Sequence, residues 1–123
     1  MNIIIDTHIF LWSLSMPDRL SDTQRSALED LSKTIYVSAV TIAELMIKAS
    51  IGKIQIDFNP VEMATETGFA LLDFSAEAAL LLKDMPLHHR VPFDRMLIAQ
   101  SIVEDCPLMT CDPKIMQYDC KVI

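Results

Sequence analysis

Glycine is almost missing from this chain of 123 residues: only Gly52 and Gly68 occur. With no internal repeat, low-complexity tract or linker either, the sequence reads as one compact, helix-rich unit. Cysteine is sparse and oddly counted. Cys106, Cys111 and Cys120 contain no CxxC pair, which leaves a disulfide framework and a zinc site without support and makes buried free thiols the plain expectation. No apolar run approaches the roughly eighteen residues that cross a bilayer. The opening MNIIIDTHIF has neither the basic start nor the long apolar core of a signal peptide, so a cytoplasmic protein is expected. Positive charge is in deficit as well: 10 basic against 17 acidic residues give a net charge of -7. That balance repels phosphate backbones and disfavours non-specific nucleic-acid binding through a basic surface. An enzyme acting on nucleic acid is still compatible, because clustered carboxylates that take up divalent cations reverse the local field.

What is present is apolar mass. Hydrophobic residues make up 51% of the chain, enough for one buried core and too much for a disordered one. The three isoleucines of Asn2 to Ile5 predict a strand buried on both faces and ending at Asp6. A helix follows over Thr7 to Leu14, stopped by Pro17, and Ser21 with Gln24 has the capping-box form that opens a second helix through Leu31. Further strands are expected at Ile35–Val37, Gly68–Leu72 and Leu108–Thr110, with Val122 and Ile123 as a fifth. Helices are expected at Thr41–Ile51, from near Pro60, at Ser75–Leu82 and at Phe93–Val103. Alternating strands and helices imply right-handed crossovers and a mainly parallel sheet covered on both faces. Sites in such α/β folds lie beyond the carboxyl ends of the strands.

Four acids map to that edge. Asp6 follows the first strand, Glu44 lies in the helix after the second, Asp94 opens the long helix and Asp112 falls just past the fourth strand. Each has a purely structural explanation: Asp6 and Asp94 as helix caps, Glu44 as the partner in a Thr41-x-x-Glu44 capping box, Asp112 before Pro113 as a turn residue. Together they are harder to explain, since close carboxylate pairs repel by about 1 to 4 kcal/mol each at moderate to high effective dielectric. Mg²⁺, or Mn²⁺ in its place, is the natural compensating ion. Such cations take carboxylate oxygens, retain several waters and support phosphodiester hydrolysis.

IIIDTHIFLW, VSAVTIAELMIKASIGKI, HHRVPFDRMLIAQS and LMTCD together resemble the PIN-domain ribonucleases, specifically VapC-like toxins of prokaryotic toxin-antitoxin pairs, over most of the chain. The resemblance implies a three-layer PIN-like sandwich on a parallel sheet of about five strands. It also implies a Mg²⁺-dependent endoribonuclease, a small antitoxin partner and a homodimer. Asp6, Glu44 and Asp94 match the family's core acids, which bind the metal, and Asp112, preceded by Thr110, matches its more variable fourth position. Where relatives often carry an acid just before PFD, Val91 stands, so that auxiliary acid is missing here.

Other residues have two readings. Thr7 and Thr110 either help to hold the site or are ordinary residues of strand ends. Arg95 either orients Asp94 or is an exposed helix arginine. His88, His89 and Arg90 are either an RNA-phosphate contact or a solvated loop, and Trp12 is expected in the core. Two competing functions are a Mg²⁺-dependent phosphoryl-transfer domain using Asp73 and a non-catalytic interaction domain in which the acids merely cap helices.

Overall fold

In the computed structural model, which describes residues 1–88 and 90–123, β1 (Asn2–Ile5) forms the inside of the sheet. It pairs in parallel with β2 (Thr34–Ser38) on one side and β4 (Leu108–Met109) on the other, and β3 (Ala70–Leu72) adds in parallel outside β2. The strand order is therefore β3-β2-β1-β4. The register sets Ile3 against Ile35 and Ile5 against Val37, with Ile5 also opposite Met109.

Because side chains alternate across a strand, β1 feeds two cores. Ile3 and Ile5 enter one with Ile9, Phe10, Leu45 and Ala64; Ile4 enters the other with Leu97, Ile98 and Leu108. All three isoleucines are fully buried. At about 1.5–3 kcal/mol per buried side chain, this run is a principal anchor of the sheet. The first core lies under α1 (Thr7–Ser15), α2 (Asp22–Glu29) and α4 (Pro60–Thr67). The second lies under α6 (Pro92–Glu104), on which α5 (Ala76–Leu81) packs. α3 (Ala39–Ser50) reaches both, through Leu45 and Val40. This is the three-layer, mainly parallel α/β sandwich expected.

Several local expectations hold at atomic detail. Ser21 and Gln24 form both hydrogen bonds of the capping box at 3.1 Å, and Pro60 is the first residue of α4, behind an Asn59 cap. Others change. The fifth strand reduces to a single parallel bridge between Leu108 and Val122. Gly68 does not begin a strand: at φ +93° it closes α4 in the left-handed conformation that residues with a Cβ resist. α2 stops at Glu29, two residues short of Leu31. The cysteines are free, but only Cys106 is buried; Cys120 is half-buried and Cys111 exposed. No helix among the described residues is long and apolar enough to cross a membrane.

The chain builds outward from β1 to β3 and then returns to lay β4 on the opposite side of β1. The crossovers consequently diverge between β1 and β4. In open parallel sheets that divergence leaves a crevice at the strand carboxyl ends.

Candidate active site

Asp6 leaves β1 at this crevice. It is the cap of α1, accepting a 2.9 Å hydrogen bond from the Ile9 amide, so the structural reading of Asp6 is correct as far as it goes. A cap is normally solvated, however, and Asp6 is only 4% exposed. Burial pushes its carboxyl above the usual aspartate range and the charge of Asp94 adds to the rise, against the opposing pull of the Thr110 hydroxyl, the Ile9 amide and His8.

Asp94 is the third residue of α6. Val91 occupies the cap position and Pro92 the first turn, so Asp94 does not cap the helix, although it sits where the helix dipole favours an anion. Its side chain is half-buried.

For Glu44 the capping-box reading fails. α3 begins at Ala39 behind a Ser38 cap that accepts from the Val40 amide, which places Thr41 inside the helix and Glu44 in its second turn. Glu44 is also 4% exposed. Its Oε1 accepts from the Thr7 hydroxyl at 2.7 Å, and its Oε2 pairs with the Lys48 ammonium one turn on. Thr7 lies 3.2 Å from the Thr41 hydroxyl. A buried carboxylate held this way has a fixed direction. In the sequence Lys48 is marked only as an i+4 neighbour of Glu44, and Thr41, expected as the cap, lies inside the helix; these two complete the setting of Glu44.

Asp112 shows the turn geometry expected, accepting from the Lys114 amide at 2.9 Å. Its own amide donates to the Thr110 hydroxyl at 3.1 Å. Thr110 is buried, and its hydroxyl lowers the pKa of the Asp6 carboxyl against the rise that burial causes. Asp6 and Asp112 line a common cleft of about 200 Å³ with His8, Trp12 and Cys111. Trp12 is therefore not wholly a core residue; it is half-buried and its neighbour Phe10 takes the core position.

Arg95 is not an exposed helix arginine. It is half-buried and donates to the carbonyls of Leu82 (3.1 Å) and Pro86 (3.0 Å) and to the Tyr118 hydroxyl (3.3 Å). It fastens the segment leading into α6. His88 and Arg90 are exposed, with the His88 ring 5.0 Å from that of Tyr118, and His89 lies outside the described residues. Asp73 follows β3 at the sheet edge, separated from Asp6 by β2.

The donor chemistry suits Mg²⁺, which is commonly held by one or two carboxylates while keeping several waters. Asp6 offers such oxygens in the cleft, and Asp94 offers them at the start of α6. Among the described residues, no three His, Cys, Asp or Glu side chains form a group that could hold a metal ion, and Glu44 is committed to Thr7 and Lys48.

The PIN domain family model matches residues 3–120. No curated protein matches. Among solved structures, the chain is similar to VapBC2 from Rickettsia felis bound to a DNA fragment from their promoter, with TM-score 0.75, 20% identity, and coverage of 100% of this chain and 98% of that one. VapBC-1 from nontypeable Haemophilus influenzae gives TM-score 0.68 at 20% identity, covering 100% and 97%. The PIN domain endonuclease Utp24 gives TM-score 0.54 at 17% identity, covering 94% and 74%.

Proposed function

The chain belongs to the PIN domain family, and from that premise we propose that it is a divalent-metal-dependent endoribonuclease acting as the toxin of a toxin-antitoxin pair. The observation that carries the reading is Asp6: an acid 4% exposed at the divergence of β1 and β4, held above its ordinary pKa by burial and by Asp94. A carboxylate kept there at a cost in stability is better explained by a cation than by capping, which a solvated aspartate performs equally well.

Asp6 and Asp94 would hold Mg²⁺ or Mn²⁺, with Glu44 joining as Lys48 moves aside and Asp112 positioning water at the cleft. When bound, the ion supplies positive charge against the phosphate and eases ionisation of an attacking water. The chain's own residues fix the acids: the Ile9 amide orients Asp6, and Thr7 orients Glu44. Arg95 holds the segment from which Asp94 starts.

The partner reading draws on the similarity to VapBC structures and on apolar surface beside α3. A groove of about 520 Å³ there is lined by Ile42, Met46, Ile56 and Phe58 among others, and Ile47 and Ile51 are also exposed. A small antitoxin and a second copy of the chain are the proposed occupants of such faces, and an antitoxin arginine or lysine reaching the acids would compete with metal.

The test is cleavage of single-stranded RNA by purified protein. Activity that needs Mg²⁺ or Mn²⁺, stops in EDTA and is lost in Asp94→Asn supports the proposal; cleavage undiminished in EDTA, or retained in that variant, overturns it.

A further inference from the structure

The cleft beside Asp6 has a second wall of different chemistry. Trp12 and His8 are four residues apart on α1, hence on one helix face, with ring centroids 5.8 Å apart and planes tilted by 45°. The short 3-10 turn at Pro17–Arg19 then brings Arg19 back over the indole, its guanidinium carbon 5.6 Å from the ring centroid. Trp12 packs partly against the first core, which fixes the ring from behind, while the same residue lines the cleft with Asp6 and Asp112. His8 and Arg19 are exposed.

An indole backed by the core, open to a carboxylate cleft and flanked by an imidazole and a guanidinium suits a planar ligand carrying negative charge. In a chain of net charge -7, Arg19 places one positive charge beside a ring whose cleft also holds the Asp6 and Asp112 carboxylates. A nucleotide meets both demands if its base takes the face of the ring that Arg19 covers here and the displaced guanidinium meets its phosphate. Bases in a duplex are stacked on one another and offer no free face, so the strand must be single there.

We propose that Trp12 is a stacking platform for one base of single-stranded RNA, next to the phosphate that the Asp6 and Asp94 carboxylates address, with Arg19 and His8 contacting that nucleotide's phosphate. This rests on the endoribonuclease reading and adds a binding subsite to it.

Trp12 is the sole tryptophan, so its emission reports this subsite alone. The experiment titrates Asp94→Asn protein, in Mg²⁺ at fixed pH, with a short single-stranded oligoribonucleotide while following tryptophan emission and the anisotropy of an end label. Cleavage of the same RNA by the parent protein is measured separately. Saturable quenching that tracks anisotropy, much weaker with the same sequence as a duplex, is the expected result. In the same background, Trp12→Ala should weaken binding about tenfold, by loss of a base-aromatic stack, and Trp12→Phe much less. Because Trp12 touches the core, thermal melts accompany both variants, and Trp12→Phe with the emission titration decides if the alanine variant fails to fold. Binding without quenching, and with affinity unchanged in Trp12→Phe and Trp12→Ala, overturns the subsite; parent cleavage of that RNA then leaves the nuclease reading intact. RNA neither bound nor cleaved overturns both. Quenching by an arginine-rich peptide but not by RNA also overturns the subsite and assigns the ring to a protein partner.

Discussion

Thr7 and Glu44, thirty-seven positions apart, meet in a buried 2.7 Å hydrogen bond between the first turn of α1 and the second turn of α3. The bond joins the elements that follow β1 and β2, so it pins the two carboxyl ends of the central strand pair to each other. It also leaves Glu44 with one oxygen on Thr7 and the other on Lys48.

A cation taken up by Glu44 would have to displace Lys48. Lys48→Met should destabilise the metal-free protein by about 1–2 kcal/mol, less than the loss of one partner from a fully buried pair, because the Lys48 side chain is 34% exposed. The same change should enlarge the rise in melting temperature that millimolar Mg²⁺ produces, since a ligand stabilises the state it binds. Melts with and without Mg²⁺ check this; an unchanged Mg²⁺ increment would remove Glu44 from the metal-binding set.

Asp6→Asn should separate charge from capping. Asparagine caps a helix as well as aspartate, so the bond to the Ile9 amide survives while the buried charge goes. The folded pKa of Asp6 is raised, so the native state binds the proton more tightly than the unfolded chain does. The penalty is fully present above the folded pKa and vanishes as pH falls below the unfolded value. In metal-free buffer the variant should therefore be more stable than the parent at neutral pH, with the advantage shrinking toward the acid end. Urea melts across that range test the sign; a variant less stable at neutral pH would return Asp6 to capping alone.

The fold was legible wherever one local signal had one solution. A run of isoleucines too short for a helix had to be a buried strand, and Ser21 with Gln24 had to open a helix. The acids proposed for the site were marked in the sequence by their place near strand ends. The setting of Glu44 was not, because Thr41-x-x-Glu44 satisfies the capping-box pattern equally well, and only the packing of α3 on β2 moves the cap to Ser38. Gly68 followed the same logic, an apolar stretch beginning with the residue that ends the preceding helix. Trp12 and Arg95 depended on tertiary neighbours, a cleft and a set of carbonyls far along the chain, for which sequence offers no local mark.

Arg95 reaches several acceptors at once, which a lysine cannot reproduce. Arg95→Lys should cost about 1–3 kcal/mol, in the range of hydrogen bonds made by charged groups, and should speed amide exchange from Leu82 to Met85 before the rest of the sheet. Equal exchange in variant and parent would show that the segment is held by other contacts.

The cysteines should separate by reactivity. Cys111 is exposed, whereas burial, with the charges of Glu104 and Asp105, pushes the Cys106 thiol above its usual range, and burial also raises Cys120. Brief treatment with iodoacetamide near pH 8 should label Cys111 first and leave Cys106 intact until denaturant is added. Mass spectrometry of the peptides reads the order, and early labelling of Cys106 would contradict the packing of the second core.

The most direct test of the central claim is the origin of the oxygen added at the cut. RNA cleaved by the purified protein with Mg²⁺ in water labelled with heavy oxygen should carry one labelled oxygen on the new terminal phosphate from the first turnover, as attack by water requires. An unlabelled 2',3'-cyclic phosphate would mean that the RNA's own 2'-hydroxyl attacked, and would contradict metal-assisted hydrolysis at Asp6 and Asp94.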